Sequence, residues 1–89
     1  MIAKDLPGAD LVEQGLRDLA SGIHSVEALL VSMSAPRLRA LGILVPTTLP
    51  GPELALYRLL AGQHGAAAHA RYNALVRRIV SFQRAACAN

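Results

Sequence analysis

The side chains able to do chemistry are few. His24, His64 and His69 are the imidazoles, and Cys87 is the single thiol. His64 and His69 are five residues apart, about 140° on one continuous helix, whereas a helical metal site sets its ligands four apart on one face. No cysteine or carboxylate neighbours them in sequence to complete a ligand set, so no metal or other cofactor is expected. Covalent catalysis asks for a serine or cysteine beside a base that is itself oriented by a carboxylate. Ser25 next to His24 is the one adjacent pair, and Ser25 is already accounted for as a helix cap. Asp10 and Glu13 could pair on a helix face, but a solvent-facing first turn gives them nothing to distinguish an acid from a base. The Pro50-Gly51-Pro52 run offers too few free N–H groups to cradle a phosphate. The chain is not expected to be an enzyme.

Charge is divided unevenly. Residues 1–27 hold Lys4 and Arg17 against Asp5, Asp10, Glu13, Asp18 and Glu27, while residues 28–89 hold seven arginines against Glu53 alone. Such asymmetry can mark an anionic partner for the basic half. The candidate contacts are Arg37, Arg39, Arg71, Arg77, Arg78 and Arg84. On a helix Arg71 and Arg78 fall near one line and Arg77 and Arg84 near another about 120° away, which reads as two solvated flanks of a core stripe. The stacking platforms of a single-strand binder are missing, since Tyr57, Tyr72 and Phe82 are the aromatics and two of them fit core positions. A weak helix-turn-helix pattern over residues 25–42 places Arg37 and Arg39 on a short second helix and keeps a DNA-binding regulator as the alternative function.

The elements that must position these groups are helical. Val12, Leu16, Leu19 and Ile23 recur at steps of three and four, with Leu11 and Gly15 beside them, so a first amphipathic helix is expected from Asp10 to a stop at Gly22. Gly15 lies on its apolar side and is expected to admit a close helix neighbour. Ser25 caps a second helix over residues 26–33. Pro36 opens a brief third helix through Leu41, ended by Gly42. Ile43 to Val45 could be extended but is too isolated for a sheet. The proline-rich run from Val45 to Pro52 is a crossover loop. Pro52 opens a fourth helix over residues 53–61, Gly62 to Gly65 break it, and a fifth runs over residues 66–86 with Tyr72, Leu75, Val76, Ile79, Phe82 and Ala86 as its stripe. The expected fold is all-α, a small irregular bundle of about five helices in one domain, with residues 1–8 a flexible N-terminus.

At 89 residues and 53% apolar composition, with alanine and leucine dominant, the chain can build one core. No stretch approaches the roughly 18 apolar residues of a membrane span, and the first residues lack the apolar run of a secretory signal, so no membrane partner is expected and the cytoplasm is the expected compartment. The second and fourth helices are apolar around most of their circumference, a demand for burial that a chain this small meets with difficulty. The surplus is expected to form an interface through Leu29, Leu30, Met33, Leu56, Tyr57 and Leu60. The leading expectation is therefore a small helical protein–protein interaction module, as a homodimer or as an accessory subunit of a larger partner.

Overall fold

The computed structural model describes residues 5–88. Among them four α-helices and one 3-10 turn follow in order: α1 (Ala9–Ala20), α2 (Val26–Ala40), α3 (Pro52–His64), the turn (Gly65–Ala67) and α4 (Ala68–Ala88), with no strand. The all-α class is as expected; the count of about five helices is not. Two expected helices are one, because α2 runs unbroken through Ser34, Ala35 and Pro36. Proline lacks the N–H that would reach the carbonyl four residues back and costs roughly 3 kcal/mol in a helix interior. Leu38 is wholly buried and Ala35 nearly so. Burying a leucine is worth about 1.5–3 kcal/mol, so keeping this last turn in the core offsets the proline, whose own ring faces solvent. Similarly α3 passes through Gly62, where glycine costs about 1 kcal/mol without stopping a helix, and the break falls at Gly65.

The first two helices end alike. After α1 the N–H of Gly22 donates to the Leu19 carbonyl at 3.2 Å and that of Ile23 to the Asp18 carbonyl at 2.8 Å; after α2, Gly42 donates to Arg39 and Ile43 to Leu38, both at 3.0 Å. These are Schellman closures, which need a glycine in the left-handed region, here at φ 72° and 85°. The chain therefore turns away before Ile23, which is 51% exposed instead of extending the apolar face of α1.

α2 is the central element and packs against α1, α3 and α4. Its residues Ala28, Leu30, Val31 and Leu38 are fully buried, joined in the core by Val12 of α1, Leu56 and Leu60 of α3, and Ile79 and Phe82 of α4. Gly15 is where α1 comes closest. A Cβ there would lie 2.5 Å from the Glu27 carbonyl oxygen and collide with a Val31 methyl, so the expected close approach is present. Of the expected flexible N-terminus, residues 1–4 lie outside the described residues; within the remainder Leu6 packs on the core, and Gly8 is buried against the Arg78 carbonyl and Phe82.

The crossover between α2 and α3 is held at two points. The Arg39 guanidinium donates from Nε and Nη2 to the Val45 carbonyl at 3.1 and 2.7 Å. The Leu49 N–H donates to Ser32 Oγ at 2.9 Å, and that hydroxyl in turn donates to the Ala28 carbonyl at 2.8 Å. Buried Val45 and half-buried Ile43 and Leu49 face the core, while Leu44 and residues 46–48 face solvent.

The other loop is locked by Ser25. Its hydroxyl accepts from the Ala28 N–H at 3.0 Å as the expected cap of α2, and donates to the Asp18 carboxylate at 2.5 Å. Asp18, nearly buried, also accepts from Gln14 Nε2 at 2.8 Å. The Ser25 hydroxyl, then Gln14, hold the Asp18 carboxyl below the usual carboxylate range.

Candidate functional site

Four of the six expected interface residues are core. Leu29, Leu30, Leu56 and Leu60 are at most 4% exposed within the single chain, and Met33 is half-buried against the same cluster. The reason is the central position of α2: three helices and the crossover enclose it, so the chain does supply the neighbours that this helix demands. Only Tyr57 reaches solvent, at 40% exposure, and it belongs to a stripe with Leu54, which is 58% exposed. Steps of three and four from Leu54 through Tyr57 and Arg58 to Ala61 set these residues on one side of α3, and all four are exposed. The Tyr57 ring is held in place, with centroids 5.8 Å from Tyr72 and 6.3 Å from His69 at tilted angles, the geometry that aromatic quadrupoles favour. The period of Leu54 and Ala61 against Leu56 and Leu60 is the sequence signal that could have found this surface.

The arginines part company. Arg39 is spent on the crossover, and Arg78 donates from Nη2 to both carboxylate oxygens of Asp10 at 2.8 and 3.1 Å, tying α4 to the first turn of α1. Arg37, Arg71, Arg77 and Arg84 are exposed and make no ion pair among the described residues. Arg77 and Arg84 lie on the side of α4 turned away from Ile79 and Phe82, so they occupy its outer face and not a flank of its core stripe. The helix-turn-helix pattern is overturned: residues 34–36 are inside α2, leaving no turn and no second helix to dock in a groove of DNA.

One concavity gathers polar groups from distant parts of the chain. A groove of about 560 Å³ lies between the start of α2, the end of α3 and the middle of α4. Glu27 lines it from α2, Gln63 and His64 from α3, Arg71 and Arg78 from α4, and His24 from the loop before α2. Leu59, Leu60, Ala74 and Leu75 give it an apolar floor. No local pattern marks it in the sequence, because its residues come from three separate segments.

Among the described residues no three His, Cys, Asp or Glu side chains are grouped to hold a metal ion, and no helix is long and apolar enough to cross a membrane. No family model, curated protein or solved structure matches the chain.

Proposed function

We propose that this protein is a small helical interaction module acting in the cytoplasm, which associates through the outer face of α3 with a second copy of itself. The observation that carries the reading is the exposed Leu54 and Tyr57 pair, three residues apart on a helix whose core-facing side is anchored by fully buried Leu56 and Leu60. Clustered exposed apolar side chains on a rigid element are what an interface centre is made of, and a tyrosine already fixed by its neighbours loses little freedom on binding. Ala61, one turn on, is small enough to let another helix approach. An isologous pairing of α3 with α3 would bury the same residues on both partners.

Sedimentation of the chain at micromolar concentration is expected to give a mass near twice 9.4 kDa. Leu54→Asp should return it to the monomer with helix content unchanged, because the side chain supports no intramolecular core. A folded monomer for the unaltered chain, or a dimer indifferent to Leu54→Asp, would overturn the reading.

A further inference from the structure

The groove between α2, α3 and α4 has opposite charges on its walls that do not satisfy each other. Glu27 makes no ion pair and no side-chain hydrogen bond among the described residues, and neither does Arg71. Both line the groove, one from α2 and the other from α4. Arg78, the second arginine on the lining, is already committed to Asp10. The uncommitted charge in the groove is thus one anion and one cation held apart. Around them Gln63, His24 and His64 add polar groups without intramolecular hydrogen-bond partners among the described residues, and Leu59 and Leu75 add apolar surface.

This arrangement discriminates by charge. A simple anion would meet Arg71 but also the Glu27 carboxylate, and a simple cation would meet Glu27 but also two guanidinium groups. A molecule carrying both signs satisfies both walls at once. An ammonium on Glu27 and a carboxylate taken by Arg71 through two parallel N–H···O bonds are the strongest contacts these side chains can make. The volume of about 560 Å³ falls within the span of small-molecule sites and is far larger than an inorganic ion needs. We propose that the groove binds a small apolar zwitterion of dipeptide size, with its free amino terminus on Glu27, its free carboxylate on Arg71 and its side chains over Leu59 and Leu75. The site is separate from the outer face of α3, and the proposal does not depend on self-association.

The probe is leucyl-leucine, titrated into the full chain by calorimetry and followed by amide chemical shifts around residues 24–27, 63–64 and 71–75. Saturable binding with shifts confined to those segments is expected. N-acetyl-leucyl-leucine lacks the ammonium and leucyl-leucine amide lacks the carboxylate, so each should bind at least about tenfold more weakly. Glu27→Gln should remove the preference for a free amino terminus and Arg71→Gln the preference for a free carboxylate, each keeping the other preference. Neither side chain makes an ion pair or a side-chain hydrogen bond among the described residues, so both variants should fold, and Arg84→Gln, outside the groove, should leave binding unchanged. Equal affinity for the blocked peptides would overturn the proposal, as would absence of saturable binding at millimolar leucyl-leucine. Tighter binding of inorganic phosphate at the same shifts would overturn it too, and would make the groove an anion site.

Discussion

α2 and α3 look alike as sequence and behave differently as structure. Each is apolar around most of its circumference, yet α2 is enclosed by three helices and the crossover, whereas α3 buries Leu56 and Leu60 and leaves Leu54 and Tyr57 in solvent. What separates them is position in the chain. α2 is flanked by two connections that fold back on it, with Asp18 bonding its cap from one side and Leu49 bonding its middle from the other. α3 is followed by a turn that sends the chain to one side, where Tyr72 and His69 of α4 reach Tyr57, and among the described residues Leu54, Arg58 and Ala61 are left exposed. An all-apolar helix states a demand for burial; the loops decide whether the chain itself meets it.

The sharpest contrast lies in paired truncations. Measured by chemical denaturation at a dilution that keeps the chain monomeric, Leu30→Ala, in the wholly buried part of α2, should cost about 2–5 kcal/mol, while Leu54→Ala on α3 should stay within about 0.5 kcal/mol. Equal losses would show that the outer face of α3 is covered in the monomer after all. The seat of α1 on α2 comes next. Gly15→Ala adds a methyl where the Glu27 carbonyl and Val31 already stand, so a loss of about 1–3 kcal/mol is expected despite the gain of about 1 kcal/mol in helix propensity. A higher melting temperature would mean that the two helices can separate freely.

Ser32→Ala tests the cover on the other side. It removes the acceptor for the Leu49 N–H, at an expected cost of about 1–3 kcal/mol, and should raise hydrogen exchange at Leu49 before that of α3. The smallest effect concerns Asp18. Its folded pKa is depressed, chiefly by the Ser25 hydroxyl, so its contribution is complete above the ordinary value of 3.8 and is lost as the pH falls through the lower folded value. Asp18→Asn should flatten the acid limb of a stability-versus-pH curve in that window, and an unchanged acid limb would remove the lock from the account of α2.

Much of the frame is local and could be read from the sequence. Ser25, Pro52, Gly22 and Gly42 mark helix ends by their own backbone chemistry, and Gly15 announces its close contact by sitting on an apolar face. Pro36 and Gly62 misled because a local penalty of 1–3 kcal/mol is weighed against burial that only the tertiary fold supplies. The interface expectation failed for Leu29, Leu30, Leu56 and Leu60 on the same ground, since apolar character cannot say which helix ends in the middle. The Asp10–Arg78 pair joins residues 68 positions apart, and the zwitterion groove is assembled from three separate segments, so neither leaves a periodic trace.

The crossover has a practical consequence for engineering. Because the Arg39 and Ser32 ties sit on either side of Pro46, Thr47 and Thr48, that exposed bow is mechanically isolated from the helices. Lengthening a loop raises its closure cost only with the logarithm of its length, so a foreign epitope grafted between Thr47 and Thr48 would be carried as a passenger, displayed opposite no part of the core and leaving both fastenings intact.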